Sequence, residues 1–321
     1  MNTRAISRRN ALTQGGLLVG AVALGKDLPT QKTSSKPRAR QDKRPFLFCL
    51  NTSTIRGQKL GLLKEIELAA QAGYDAIEPW VASIEEFVQK GGTLPDLKKK
   101  ISDSGLTVES AIGFPDWIVE DDIRRAKGLE RAKREMDMVM QIGGKRFAAP
   151  PAGATNLPKL ELTQAADRYR SLLETGQQIG VVPQLELWGF SKNLGRLGEC
   201  ISVAMETGHP NACVLADVFH LHKGGSDFRG IHLLGPSAIQ VLHMNDFPAE
   251  PSREKIDDSY RVFPGDGVAP LAELLALLRR TGSQKVLSLE LFNRTYWTEN
   301  ALTVAKTGLA KMKAAVEKAK I

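Results

Sequence analysis

From residue 46 onwards, short apolar runs alternate with amphipathic stretches, and this alternation constrains the fold more than any other feature of the 321-residue chain. Buried parallel strands read as near-continuous apolar runs, whereas helices repeat apolar positions every three or four residues. The predicted strands cover residues 46–53, 74–80, 106–114, 145–152, 181–189, 212–221, 239–247 and 285–293. The predicted helices cover residues 59–73, 94–105, 121–143, 163–180, 194–208, 226–235, 268–282 and 298–319. Eight strands alternating with eight helices predict an α/β protein, a (β/α)8 TIM barrel.

Each of the last four predicted strands carries an ionisable side chain near its carboxyl end. These side chains are Glu186, Asp217, His243 and Glu290. Burying an ionised group without a partner is costly, so four of them at strand ends imply a shared cation or a charged ligand. In (β/α)8 barrels the chemistry takes place at the carboxyl ends of the strands. Two glutamates, an aspartate and a histidine form a mixed oxygen and nitrogen set that suits a divalent metal ion.

The formal net charge of +8 is concentrated at the amino terminus. Residues 1–44 contain ten of the 44 basic residues and two of the 36 acidic residues, so the remainder of the chain is formally neutral. A neutral folded part has no electrostatic footprint for a phosphate backbone. We therefore expect no nucleic-acid partner.

The amino-terminal sequence SRRNAL, at residues 7–12, resembles a twin-arginine export signal and precedes a weakly apolar stretch rich in glycine. That stretch, about 14 residues long, is shorter than the roughly 20 residues that a membrane-spanning helix needs. We therefore expect a signal peptide over residues 1–25, a disordered basic linker over 26–44 and a barrel over 45–321. The sequence thus predicts an exported, periplasmic protein with no stable membrane insertion after cleavage.

The four ionisable strand-end residues belong to a longer series of motifs in a fixed order. Glu186 is followed by DVFH at residues 217–220, HMND at 243–246, RVFPGDG at 261–267 and SLEL at 288–291. This series resembles the xylose isomerase-like barrel superfamily, which includes sugar phosphate isomerases, ketose 3-epimerases, hydroxypyruvate isomerase and endonuclease IV. The resemblance covers about residues 46–319, essentially the whole predicted barrel.

The resemblance implies an enzyme, a metal-dependent isomerase or epimerase of a sugar or related polyhydroxy carbonyl compound. One divalent ion, manganese, magnesium, cobalt or zinc, would be bound by Glu186, Asp217, His243 and Glu290. The two glutamates would also transfer a proton through an enediolate. Two alternatives stay open, a metal-dependent dehydratase or lyase of a cyclic polyol ketone and a catalytically silent sugar-binding barrel. Barrels of this group often pair, so a homodimer is also an expectation.

Further residues are predicted to bind the substrate or to support the metal ligands. His220 would hydrogen-bond a substrate oxygen, and Arg261 or Lys223 would recognise a carboxylate or phosphate. Residues at other strand ends would form an aromatic pocket wall, namely Glu78, Trp80, Phe114, Trp117 and Trp188. Asn245 and Asp246 follow His243 directly and would orient it.

A role like that of endonuclease IV is disfavoured by the distribution of histidines. All five histidines lie after residue 208, whereas the resemblance implies that a trinuclear zinc cluster draws histidines from the early strands as well. The loop after the seventh strand reads Tyr260-Arg261-Val262, where that enzyme has Asp-x-His. Together with the neutral folded part, these differences argue against DNA repair.

Overall fold

The computed structural model of the protein describes residues 44–320, and the predicted signal peptide and all but the last residue of the predicted linker lie outside this range. Its eight strands are β1 (Phe46–Asn51), β2 (Ala76–Glu78), β3 (Thr107–Val108), β4 (Arg146–Ala149), β5 (Val182–Glu186), β6 (Val214–Asp217), β7 (Ile239–Met244) and β8 (Lys285–Leu289). All eight predicted strands are present. All eight end earlier than predicted, because the residues that follow leave the sheet.

The strands form one parallel sheet in the order β3-β2-β1-β8-β7-β6-β5-β4. The ring closes between its two outermost strands through Ala111, which follows β3. The Ala111 N–H donates to the Arg146 carbonyl at 3.1 Å, and the Ala148 N–H donates to the Ala111 carbonyl at 2.9 Å. The (β/α)8 barrel prediction is therefore confirmed.

Nine α-helices surround the sheet in the described part of the chain. They are α1 (Leu62–Ala72), α2 (Val81–Gln89), α3 (Leu94–Asp103), α4 (Asp122–Gln141), α5 (Leu162–Ile179), α6 (Leu197–Glu206), α7 (Val218–Lys223), α8 (Leu271–Arg280) and α9 (Ala301–Lys318). The sequence did not predict α2, a nine-residue helix that buries only Val81 and Ile84. The predicted helix over residues 226–235 is a 3₁₀ helix, Phe228–Leu233.

The predicted sixth strand, residues 212–221, divides into β6 and α7 at Asp217. Asp217 is the N-cap of α7, because its Oδ1 accepts the backbone N–H of His220 at 2.8 Å. A short side-chain oxygen is the preferred partner for these otherwise unpaired helical N–H groups. The same residue therefore ends a strand and begins a helix.

The apolar core has two parts. The larger part lies between the strands and the surrounding helices, and the smaller part fills the barrel with short side chains such as Cys49, Ala76 and Ala148. Near the amino ends of β4 and β7, Arg146 donates to Glu109 at 3.2 Å and to Gln240 at 2.6 Å. Polar pairing thus fills that end of the barrel and leaves the carboxyl-terminal mouth for a site. No helix in residues 44–320 is long and apolar enough to cross a membrane.

Candidate metal and substrate site

Three carboxylates converge on His243 at the carboxyl ends of β5 to β8. The Nδ1 atom of His243 lies 3.1 Å from Glu290 Oε2, 3.7 Å from Glu186 Oε1 and 3.7 Å from Asp217 Oδ2. One ligand atom from each of Asp217, His243 and Glu290 lies within 4.8 Å of the others. All four side chains are buried. The structure thus brings together the four residues for which the sequence predicted a common ion.

The charges in this cluster perturb one another. Burial opposes protonation of His243, but the charges of Glu290 and Glu78 outweigh it and raise the pKa of His243 well above its usual value. Burial opposes ionisation of Asp217, but the charges of Arg261, His220 and His243 together with the His220 N–H outweigh it and lower the pKa of Asp217. Burial, together with the neighbouring carboxylates, raises the pKa of Glu186 to about 8. In this cluster Glu186 is therefore the carboxylate most deficient in compensating positive charge.

Arg261 bridges two of these carboxylates. Its Nη1 donates to Asp217 Oδ2 at 2.7 Å and to Glu290 Oε2 at 2.9 Å, while its Nη2 donates to Asp258 Oδ1 at 2.5 Å. The guanidinium carbon also lies 4.9 Å from the Phe219 ring centroid and 5.1 Å from that of Phe292. Arg261 is therefore fixed in the cavity wall by ion pairs and by two aromatic rings.

Glu78 does not belong to the aromatic wall in which the sequence analysis placed it. It is fully buried, and its Oε2 lies 3.1 Å from Nε2 of His243. The same oxygen accepts hydrogen bonds from Ser288 Oγ at 2.5 Å and Asn51 Nδ2 at 2.9 Å. Asn51 Nδ2 also donates to Glu290 Oε1 at 3.1 Å. Glu78 thus lies on the opposite side of the imidazole from the other carboxylates and fixes its orientation.

Sequence reasoning missed Asn51 and Ser288. Both lie on strands at the level of the site, since Asn51 is the last residue of β1 and Ser288 is the fourth of five in β8. Their signal was present in the sequence as a polar residue within an apolar run, the same signal that identified Glu186. Both are neutral and common in loops, so they attract less attention than a charged side chain.

Asn245 and Asp246 support neighbours other than His243. Asn245 Nδ2 donates to Asp217 Oδ2 at 3.0 Å, and Asn245 Oδ1 accepts the N–H of Phe219 at 2.9 Å. The Asp246 carboxylate accepts backbone N–H groups of Gly265 and Ala269, each at 2.9 Å. Asn245 therefore orients the metal-facing oxygen of Asp217, while Asp246 folds the loop after β7. The sequence had predicted that both would orient His243.

A cavity of about 480 Å³ opens above the carboxylate cluster. Glu186, Glu290, His220 and Arg261 lie on its polar side. Its other side is an aromatic wall, which we define as Phe292, Trp80, Phe114, Trp188 and Phe190. Successive ring centroids along this wall are 6.2, 5.2, 5.8 and 5.3 Å apart. Of the residues predicted to bind substrate, Trp80, Trp188, His220 and Arg261 lie in the cavity lining.

Two residues predicted to bind substrate lie elsewhere. The Lys223 ammonium donates to the backbone carbonyls of Arg253, Glu254 and Ile256 at 3.0, 2.9 and 2.8 Å. Its three donors are thereby used to hold the loop after β7. Trp117 is fully buried and donates from Nε1 to the Pro150 carbonyl at 2.8 Å. Neither side chain lines the cavity above the cluster.

His220 presents one ring nitrogen without a protein partner. Its Nε2 lies 3.1 Å from Nη2 of Arg261, and since a guanidinium has only donors, this nitrogen accepts and Nδ1 carries the proton. Burial, together with the charge of Arg261, lowers the pKa of His220, so the imidazole is neutral. Nδ1 is buried and has no hydrogen-bond partner among residues 44–320. A substrate oxygen would satisfy it.

The residues present fit a divalent cation. Nδ1 of His243 and Oε2 of Glu186 are buried and lack hydrogen-bond donors or acceptors of suitable geometry in the described part of the chain. Buried polar atoms of native proteins are almost always paired, so these two atoms indicate a further partner. Imidazole nitrogen and carboxylate oxygen are ligands that manganese, magnesium, cobalt and zinc all accept.

A closed parallel barrel with buried ionisable groups at its carboxyl-terminal mouth has the architecture of a TIM-barrel enzyme. The sequence profile of the xylose isomerase-like TIM barrel family matches residues 66–315, and the chain belongs to this family.

Known proteins with similar sequences and structures include enzymes. The inosose isomerase of Halalkalibacterium halodurans is 25% identical over 269 residues, which cover 81% of this chain and 93% of that protein. The 3-dehydroshikimate dehydratase of Pseudomonas aeruginosa is 27% identical over 241 residues, covering 72% of this chain and 36% of that longer protein. A solved structure of the IOLI protein with a bound zinc atom has a TM-score of 0.78 at 22% identity, and the match covers 85% of this chain and 98% of that one. These similarities connect the barrel to isomerases and dehydratases.

Proposed function

We propose that this barrel is a divalent-metal-dependent isomerase or epimerase of a polyhydroxy carbonyl compound. The observation that carries the proposal is the approach of Glu186, Asp217 and Glu290 to a single buried imidazole nitrogen of His243, within 3.7 Å. Arg261 pairs with Asp217 and Glu290 but not with Glu186, so this concentration of buried carboxylates favours binding of a further cation, and its position at the barrel mouth is where substrates bind in this fold.

A dehydratase is the second candidate, because one relative is a 3-dehydroshikimate dehydratase. Inosose and 3-dehydroshikimate are both cyclic ketones with hydroxyl groups near the carbonyl. Isomerisation, epimerisation and dehydration of such compounds all begin with removal of a proton from the carbon beside the carbonyl. The same arrangement of residues therefore serves each reaction.

In this proposal Glu186, Asp217, His243 and Glu290 hold the metal ion. When bound, a divalent cation polarises a carbonyl oxygen and acidifies the neighbouring C–H bond. Glu186 and Glu290 lie on β5 and directly after β8, and both line the cavity. One of these carboxylates removes the carbon-bound proton, and the other returns a proton to the substrate.

His220 and Arg261 complete the proposed machinery. The Nδ1–H of His220 donates to a substrate oxygen, which in a dehydration would be the departing hydroxyl. Arg261 fixes the Glu290 carboxylate through its 2.9 Å contact and keeps His220 in the tautomer that donates from Nδ1. The role of His220 rests on Nδ1, which has no hydrogen-bond partner among residues 44–320. The role of Arg261 rests on its contacts with Glu290 and His220.

Deuterium exchange tests the proposal. Protein loaded with manganese, cobalt or zinc is incubated in deuterated water with inosose and simple ketoses, and NMR detects deuterium at the carbon beside the carbonyl. We expect Glu290→Gln to slow exchange at least tenfold, because an amide cannot carry the proton and one of the two carboxylates is lost, while Glu174→Gln, at an exposed position in α5, retains the parental rate. Exchange at the parental rate in the Glu290 variant would refute the assignment, and no exchange with any substrate would favour a sugar-binding protein.

We also propose that the chain is exported through the twin-arginine route, because Arg8 and Arg9 precede a short apolar stretch. Replacing both arginines with lysine should keep a tagged protein in the cytoplasm, as measured by periplasmic fractionation. Equal periplasmic amounts of parent and variant would contradict this proposal.

A further inference from the structure

Three of the four tryptophans of the chain, Trp80, Trp188 and Trp297, line the cavity above the carboxylate cluster. An indole ring has a single polar atom, its N–H, through which it could bind a substrate hydroxyl. The Trp80 N–H donates to Asn51 Oδ1 at 3.1 Å, and the Trp297 N–H donates to the Ser53 carbonyl at 3.0 Å. Trp80 and Trp297 therefore present only ring carbon to a ligand.

The phenylalanines of the aromatic wall extend this carbon surface. Phe292, Phe114 and Phe190 alternate with the tryptophans along the wall, and Phe190 lies at the rim with 43% of its surface exposed. Phe190 also contacts His220, with 5.4 Å between ring centroids. A contiguous aromatic surface that is left partly exposed to water marks a place where apolar ligand surface binds.

The two aspartates of the upper cavity accept hydrogen bonds from neighbouring protein groups. Asp257 Oδ1 accepts from the backbone N–H and the hydroxyl of Ser259, at 2.8 and 2.6 Å. Asp258 Oδ1 accepts from Arg261. In contrast, the buried polar atoms of the lining that lack a partner among residues 44–320 belong to Glu186 and His220, at the base of the cavity. Apart from the exposed Arg294, which also lines the cavity, unused hydrogen-bonding capacity among the buried polar atoms is therefore concentrated next to the carboxylate cluster.

We infer, on the basis of the proposed function, that the polyhydroxy carbonyl substrate carries an aryl group and is not a free sugar. Its hydroxyketone group would meet Glu186, His220 and Glu290, and its aromatic ring would pack against the aromatic wall. A free polyol would place its distal hydroxyls against ring carbon, and each hydroxyl without a partner costs roughly tenfold in affinity. The cavity of about 480 Å³ lies within the range of ~300–1,000 Å³ that is typical of drug-sized ligands.

Two probes with the same reacting group test the inference. Both 2-hydroxyacetophenone and 1,3-dihydroxyacetone carry a carbonyl next to a CH₂OH group, but the first bears a phenyl ring and the second a hydroxymethyl group. A carboxylate removes one CH₂ proton, the proton exchanges with solvent, and a deuteron returns to the same carbon. We expect metal-loaded protein to exchange the phenyl compound with at least tenfold higher kcat/KM than dihydroxyacetone or inosose.

Binding is measured separately by saturation-transfer NMR on the phenyl protons, which requires no turnover. We expect Phe114→Ala to weaken binding of 2-hydroxyacetophenone at least fivefold, whereas Phe87→Leu, at a half-buried aromatic outside the cavity, leaves it unchanged. Exchange of dihydroxyacetone or inosose equal to that of the phenyl compound would overturn the inference and leave the proposed function intact. Binding of the phenyl compound without exchange of any probe would support the aromatic subsite and count against the proposed function. Absence of binding to the parent protein would overturn the inference.

Discussion

At the residue scale, the contacts of Glu78 define how the proposed metal ligands are oriented. Its carboxylate lies beside His243 Nε2 and also accepts from Asn51 and Ser288, while Asn51 reaches on to Glu290. A metal-binding imidazole commonly has a carboxylate at its second nitrogen, which fixes the tautomer and raises the basicity of the ligand. Glu78 would do this for His243 without contacting the ion.

We therefore expect Glu78→Gln to weaken binding of zinc or manganese by about 10- to 100-fold. The amide keeps the shape of the side chain but loses the negative charge next to His243. Competition with a chromogenic chelator measures the affinity, and circular dichroism confirms that the variant is folded. Glu109→Gln is the matched control, because Glu109 is also a buried carboxylate but pairs with Lys145 and Arg146 away from the mouth. Parental metal affinity in the Glu78 variant would contradict this role.

Glu65 offers a separate pH test at the residue scale. Burial raises the pKa of Glu65 from its usual value to about 7, and its Oε2 has no hydrogen-bond partner in the described part of the chain. The folded protein thus holds a proton that the unfolded chain releases near pH 4.5, so stability falls as the pH rises from about 4.5 to about 7.

We expect Glu65→Gln to match the parent in stability at pH 4.5 and to exceed it by about 1–3 kcal/mol at pH 8. Urea unfolding across this pH range gives the difference. Glu67→Gln is the control, because Glu67 is an exposed residue of the same helix, and its ion pairs with Lys64 and Lys100 contribute little. If the stability difference between Glu65→Gln and the parent did not increase with pH, Glu65 would not be the cause of the fall in stability.

At the element scale, α7 connects two parts of the site. It carries His220, and its last residue, Lys223, donates to three carbonyls of the loop after β7. That loop leads to Asp257, Asp258 and Arg261 in the cavity lining. The loop after β5 lies against the same helix at Gly189. Any other residue there would place its Cβ only 2.3 Å from the His220 carbonyl oxygen, so this close approach requires glycine.

We expect Lys223→Met to lower kcat/KM by about tenfold, mainly through KM, because small displacements of substrate-positioning groups are costly. Metal affinity should change less than threefold, since Lys223 contacts none of the proposed ligands. Deuterium-exchange kinetics and chelator competition give the two values, and Lys90→Met, at an exposed lysine directly after α2, is the control. If Lys223→Met lowered metal affinity by the same factor as kcat/KM, the loop after β7 would also position the proposed metal ligands.

The strands and helices also show which features could be predicted from the sequence. The alternation of strands and helices predicted the barrel, and ionisable residues within apolar runs predicted the cluster that the structure brings together. Trp117 and Lys223 were assigned to the pocket because they follow strands, but position in the chain does not give side-chain direction. Trp117 packs beneath α5 against Tyr169, and Lys223 points to the loop. Glu78 was assigned by the same reasoning and points into the barrel.

At the scale of the whole molecule, the two ends of the barrel differ in the chemistry of their polar groups. At the amino ends of the strands, Arg146 pairs with Glu109 and Gln240, so positive and negative groups balance. At the carboxyl ends, carboxylates outnumber the cationic partners, and an aromatic wall stands above them. Such a division agrees with the general rule that one end of a TIM barrel contributes to stability and the other to chemistry.

Asp217 uses its two oxygens for different tasks, since Oδ1 caps α7 and Oδ2 faces the cluster. A glutamate at this position would move the cap away from the helix, and a histidine would offer no second acceptor on the same side. Substitutions intended to change the preferred metal ion can therefore be made at Glu186, His243 and Glu290, but not at Asp217. The aspartate is constrained by backbone geometry as well as by coordination chemistry.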